Sequence, residues 1–231
     1  MNKLIIIFSL IFIGFLLGCT EEETENYEAF RGLEYFPLET GNTLVYKITE
    51  ITIDKPSNIY DTSIYYIKEI VDIPLIDNEN DTSYRIERYS RTSDEENWII
   101  HSVWTAKRTE MTAEKIEENY RLVKIRFPVK KDYSWNGNLY TELDNQEYYI
   151  SDYNVPYSIG EFSFDSCLTV YHDSSQSLIH KDLSYEVYAY RTGLVYKEDT
   201  YLNSQEVIFE LPIEERITTG TIFKQELIEV E

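Results

Sequence analysis

Two cysteines, three histidines and 42 carboxylates are the side chains of this 231-residue chain whose types could do covalent, acid–base or metal chemistry. Serine hydrolysis needs a histidine held against a serine and an acid. The histidines are His101, His172 and His180. His172-Asp173-Ser174 are neighbours along the chain, which on a strand or turn does not bring their side chains together. There is no Gly-x-Ser-x-Gly elbow. No His-x-His, His-Glu-x-x-His or paired-cysteine motif supplies zinc ligands. The glycines are dispersed, so no loop cradles phosphate. Two carboxylates suffice for glycoside hydrolysis, but among 42 acids nothing singles out a pair. Asp77-Asn78-Glu79-Asn80-Asp81 alternates like the start of a calcium loop. Thr82, however, stands where that loop needs glycine, and Arg88 where it needs a bidentate glutamate, so the stretch reads as a hairpin tip. The residues therefore point to no catalytic group, no metal and no cofactor, with the histidines read as solvated loop residues.

Cys19 is the exception. Lys3 precedes an apolar run from Leu4 to Leu17, which closes on Leu16-Leu17-Gly18-Cys19 before the chain turns to Thr20-Glu21-Glu22-Glu23. A charged start, a short apolar core and a small residue before the cut describe a secretory signal. The run falls short of the roughly 20 residues of a comfortable membrane span. The closing tetrapeptide resembles the lipobox of bacterial lipoproteins. That resemblance implies that Cys19 is acylated through its thiolate, that cleavage follows Gly18, and that residues 1–18 are removed. Two or three acyl chains hold a domain at a membrane where one is marginal. Thr20, rather than aspartate, follows the cysteine. Glu21, Glu22 and Glu23, with Glu25 behind them, resemble the acidic export signal of Bacteroidota lipoproteins, which implies the outer membrane and the cell surface. The same acids also suit a solvated tether, in which case the domain faces the periplasm.

The formal charge of −21, one unit more negative once Lys3 is removed, argues against nucleic acid, whose phosphates need a basic face. It argues equally against electrostatic attraction to anionic lipid. Once Cys19 is acylated, Cys167 is the one thiol left, so no intrachain disulfide forms, and its apolar surroundings make it a small, inert core residue.

The composition along the chain predicts an acylated cysteine and acidic tether over residues 19–33 and a single domain over residues 34–231. Runs rich in β-branched and aromatic residues recur at short intervals. They cover Leu44 to Ile53, Ile64 to Val71 with Pro74 ending it, Ser83 to Arg91, Trp98 to Trp104, Tyr120 to Val129, Tyr148 to Tyr153, Glu161 to Tyr171, Leu183 to Tyr190, Leu194 to Leu202, Gln205 to Leu211, and Thr221 to Val230. Asn136-Gly137 predicts a two-residue hairpin. Ala106 to Glu118 reads as a short helix or a charged edge. The expectation is a mainly β fold: an antiparallel, strongly curved sheet, half-barrel or barrel of ten to a dozen strands, with at most one or two short helices.

Phe36-Pro37-Leu38-Glu39-Thr40-Gly41-Asn42 before a Val-Tyr strand, Trp135-Asn136-Gly137-Asn138, and Tyr188-Ala189-Tyr190-Arg191-Thr192-Gly193-Leu194-Val195-Tyr196 together resemble β-rich lipoproteins of Bacteroidota. That family brings no assigned activity, and the late Gly-Leu-Val-Tyr strand is similar to those of curved half-barrels that carry lipids or lipoproteins. The expected function is a lipid-anchored, non-catalytic binding or accessory module whose partner is a glycan or an envelope protein. Trp98, Trp104 and Trp135 are the candidate platform for sugar rings, set against a plain role in core and sheet face. A periplasm-facing carrier requires instead an aliphatic concave face around an acyl chain, and a hydrolase requires a cleft floored by His172 or two carboxylates.

Overall fold

The strands are β1 (Thr43–Asp54), β2 (Ile59–Ile76), β3 (Thr82–Arg91), β4 (Ile99–Arg108), β5 (Thr112–Glu117), β6 (Tyr120–Arg126), β7 (Ser134–Asn136), β8 (Glu147–Ile159), β9 (Phe162–Asp173), β10 (His180–Ala189), β11 (Gly193–Asn203) and β12 (Thr219–Val230). They come from a computed structural model that describes residues 30–231. Cys19, the lipobox and Glu21 to Glu23 lie outside the described residues. Arg31–Glu231 forms one unit.

All twelve strands make one antiparallel sheet in the order β6-β5-β4-β3-β2-β1-β12-β11-β10-β9-β8-β7. Every strand except β6 and β7 thus lies beside its neighbours in sequence, and β12 returns to pair with β1 along its length. The two edges, β6 and β7, are also consecutive in the chain. The Val123 N–H donates to Gly137 O at 2.9 Å and the Trp135 indole N–H to Val123 O at 2.8 Å. These bonds bring the edges together into a nearly closed, up-and-down barrel, the arrangement that removes exposed sheet edges. Two single-turn 3-10 segments, Leu33–Tyr35 and Ile213–Glu215, are the helical elements among the described residues.

The chain enters at one end and plugs it. Tyr35, Phe36 and Leu38 pack among Ile86, Val123, Ile125, Trp135, Tyr148 and Tyr188, and burial of each such side chain contributes about 1.5–3 kcal/mol. The Arg108 guanidinium donates to Leu33 O at 3.0 Å and Phe36 O at 2.8 Å. The Tyr35 hydroxyl meets Ser166 Oγ at 2.8 Å and accepts from the Asn154 N–H at 3.1 Å. At Gly32, φ is +78° and a Cβ would come within 2.4 Å of Val129, so only glycine fits that entry turn.

Four expectations are corrected. Ala106 to Glu118 is no helix but the end of β4, a turn and β5. Pro74 does not end β2; it sits at a register irregularity between Val71 and Pro74, where the missing N–H breaks no ladder bond. Asn136-Gly137 closes no two-residue hairpin, because Asn136 pairs with Glu147 across a longer loop. Gln205 to Leu211 is not a strand but part of the connection between β11 and β12.

Candidate functional site

The antiparallel ladder aligns charged residues on one face of the sheet. Glu69 lies beside Arg88, Arg88 beside Ser102, Ala106 beside Lys115, and Glu186 beside Lys197. That face is the lumen. Lys124 on β6 and Glu186 on β10 are well separated around the barrel, yet their side chains meet at 2.6 Å. A second group joins Glu69 to Arg88 at 2.8 Å and to Lys115 at 3.0 Å. Glu117 lies 3.7 Å from Lys124 and 3.9 Å from Lys115 and links the two groups. The result is a layer of alternating charge across the middle of the barrel.

Burial alone would neutralise these groups, but the pairing overrides it. Desolvation opposes the charge on Glu186, yet Lys124 first and Lys197 behind it hold its carboxyl well below the usual range. Glu69 is likewise lowered, with Lys115 and Arg88 outweighing burial. Burial disfavours the Lys124 ammonium, and Glu117 and Glu186 keep it above the ordinary lysine value. Burial and then Glu186 push the Tyr188 phenol well up; its hydroxyl donates to Glu186 Oε2 at 2.5 Å.

Between this layer and the plug lies a cavity of about 80 Å³. Phe36, Leu38, Leu44, Val71 and Leu194 make its apolar wall; Glu69, Lys115, Lys124 and Glu186 make its floor.

His172 is buried in the lumen, which corrects its reading as a solvated residue: burial lowers its pKa, and it stays neutral. Its ring stacks on Tyr148 at 3.9 Å. Its neighbours are not Asp173 and Ser174 but Ser184, 3.4 Å from Nδ1, and Glu186, 3.4 Å from Nε2. This is the composition of a triad without its working geometry. The Ser184 hydroxyl donates to Asp199, not to His172, and Ser184 is 3% exposed. The other two histidines lie on strands rather than loops: His101 is exposed on β4, and His180, the first residue of β10, bonds Asp182 and Asn203. Cys167 is buried, and burial pushes its thiol up to about 11, which suppresses its reactivity.

The three tryptophans are not brought together. Trp135 is in the core. Trp104 faces the lumen, with the Arg88 guanidinium 3.6 Å and the Lys115 ammonium 4.7 Å from its ring. Trp98 is covered by Arg91 and Lys68 at 4.4 and 5.0 Å. These cation–π contacts occupy ring faces that a sugar would need. The tyrosines behave similarly. Tyr149, Tyr171 and Tyr185 stack across β8, β9 and β10 at 5.4 and 5.2 Å with interplanar angles of 12° and 22°, which turns their faces to one another as cross-strand pairs.

The hairpin tip is held by a lysine. Lys107 Nζ lies 2.8 Å from Asp77, 2.6 Å from Glu79 and 2.7 Å from Asp81, so an ammonium occupies the centre of that carboxylate triad.

At the far end from the plug, the connections β9–β10 and β11–β12 are fastened by one buried side chain. The Arg216 guanidinium donates to Leu211 O at 3.1 Å and to Glu206 O and Leu178 O. Beneath it, Ile213 and Ile217 pack on Ile53 and Leu202. The sequence reads Gln205 to Leu211 as a strand because Val207-Ile208-Phe209 is an apolar run; the acids on both sides of it, Glu206 and Glu210, were the sign of an exposed loop.

No protein-family model and no curated protein matches the chain. Among solved structures it is similar to a candidate lipoprotein from Parabacteroides distasonis, with 11% identity and a TM-score of 0.38 over 85% of this chain and 98% of that one. At that distance the likeness carries no argument about function. No helix among the described residues is long and apolar enough to cross a membrane.

Proposed function

We propose that this chain is a lipid-anchored, non-catalytic binding module of the bacterial cell envelope, a barrel that works through its outer loops upon an envelope protein. The observation that carries this reading is the filled lumen. A barrel can enclose a ligand, but here an ion-pair layer crosses the interior and a plug closes one end. The cavity between that layer and the plug, about 80 Å³, is too small for a long acyl chain, which counts against the carrier. Covered tryptophan faces count against a sugar platform, and the hydrogen bond of Ser184 to Asp199 counts against hydrolysis. The lipobox ending at Cys19 supports the anchor, and Glu21 to Glu23 support the outer face of the outer membrane.

Two measurements test it. Cys19→Ala should leave the precursor uncleaved or the protein released from membranes washed in high salt; unchanged, salt-resistant retention overturns the anchor. Native mass spectrometry of the soluble domain should give the mass of the chain alone. A retained lipid of several hundred daltons would restore the carrier.

A further inference from the structure

We infer that the far-end loops form a docking surface for a protein whose apolar pocket is bordered by lysine or arginine, with Phe209 as the side chain that enters it. The proposal deepens the reading of a binding module and rests on it. Leu178 and Ile179 on the β9–β10 connection and Val207, Phe209 and Leu211 on the β11–β12 connection are all exposed, Phe209 to 78%. They form one patch, because the Arg216 guanidinium bonds carbonyls of both loops, and the Ser204 N–H donates to Ile179 O at 2.9 Å. Scattered exposed apolar residues need no explanation, whereas a contiguous patch marks an interaction site.

The patch is also built. Ser204 Oγ donates to Arg216 O at 2.6 Å, and Arg216 is 7% exposed. Ile213 and Ile217 anchor the segment from below. A connection that only had to join two strands could be polar throughout. This one fixes its backbone with a buried guanidinium and turns a phenylalanine to solvent, which limits the ordering cost of binding.

Charge selects the occupant. In the connection between β11 and β12 the exposed charged side chains are Glu206, Glu210, Glu214 and Glu215, and its single cation, Arg216, is buried. Glu214 is paired with Lys181, which leaves three unpaired acids around the patch. A second copy docked on the same surface would set these acids against themselves, and an anionic lipid surface would repel them. A pocket rimmed by basic residues meets both features, with the aromatic side chain as the energetic centre and the rim charges steering approach.

The test places p-benzoyl-L-phenylalanine at position 209 of the full-length chain, irradiates the cells that make it, and maps the adduct. The same label at Tyr140, exposed on another loop, sets the background, and the label at Val207 gives a second position on the patch. The expected result is an adduct at positions 209 and 207, on one protein, inside an apolar pocket flanked by Lys or Arg. Its yield should fall at least about fivefold in Glu206→Lys/Glu210→Lys/Glu215→Lys, whose melting temperature should match that of the parent. An adduct with a second copy, an adduct with lipid, a yield no higher than at Tyr140, or a yield indifferent to the charge reversal each overturns the proposal. Salt-resistant membrane sedimentation of the same cells reads the anchor separately, so failure of the anchor and failure of the patch are distinguishable.

Discussion

Lys124 shows what single residues do in this barrel. Its ammonium bonds Glu186 Oε1 at 2.6 Å and lies 3.7 Å from Glu117, with its side chain 3% exposed. Removing one partner of a buried pair strands the other charge, at a cost of about 3–5 kcal/mol. Lys124→Met should therefore lower the unfolding free energy by about that amount in urea titrations. Lys124→Met/Glu186→Gln should recover part of the loss, because a neutral amide still accepts from the Tyr188 hydroxyl. A Lys124→Met protein within about 1 kcal/mol of the parent would mean that water reaches the pair and screens it. These residues were hidden by number, since three glutamates among 42 acids carry no label. Their setting was the usable sign: Glu186 interrupts Tyr185-Glu186-Val187-Tyr188-Ala189, and Lys124 interrupts Leu122-Val123-Lys124-Ile125. A lone charge inside an apolar strand has to find a partner.

At the level of elements, the seam between β6 and β7 holds the barrel closed with few bonds, and Gly137 is its tightest point. A Cβ there would lie 2.5 Å from the Tyr148 ring, which packs on Trp135 at 6.2 Å. Gly137→Ala should therefore cost about 1–3 kcal/mol by overpacking and speed amide exchange at Val123 and Gly137 before the β1–β12 ladder opens. Uniform protection loss across all strands would show that the seam is not a separate weak point. The glycine stood out in the sequence for a different reason, as half of an Asn-Gly turn; the close approach of Tyr148 depends on a contact the local pattern does not contain. The misreading of β5 has a related cause. Ala113, Lys115 and Glu117 share the face that Lys115 turns to Glu69 in the lumen, so the inward face of this strand is charged and the apolar alternation that marks a strand is erased. β1 and β9 were legible because an apolar stripe marks one face of each in the ordinary way: Leu44, Tyr46 and Ile48 on the first, Leu168 and Val170 on the second.

For the whole molecule, the buried layer and the surface charge make opposite demands as pH falls. With a formal charge of −21 and a sequence pI near 4.5, acidification from neutrality relieves self-repulsion and by itself would stabilise the fold. The lumen works against this. His172, lowered from 6.5 by burial, stays neutral when folded but takes up a proton when unfolded. Its contribution is therefore present above about 6.5 and lost as pH falls through its folded value. Glu69, Glu117 and Glu186 are lowered from 4.5 despite burial, because lysines and Arg88 surround them; their contribution is lost in turn below about 4.5. On the alkaline side Lys124 and Lys197 are raised from 10.5, so what they add is present below about 10.5 and lost as pH rises through their folded values. Buried ion pairs are screened less than exposed charges, so the lumen should prevail. The expected profile of melting temperature is a plateau from about 6.5 to 10, a shallow fall below 6.5 and a steep one below 4.5. His172→Phe, which keeps a ring against Tyr148, should remove the shallow limb and leave the steep one. A melting temperature that climbs steadily from pH 7 toward the pI would show that surface repulsion governs stability and that the charged layer is not sealed from solvent.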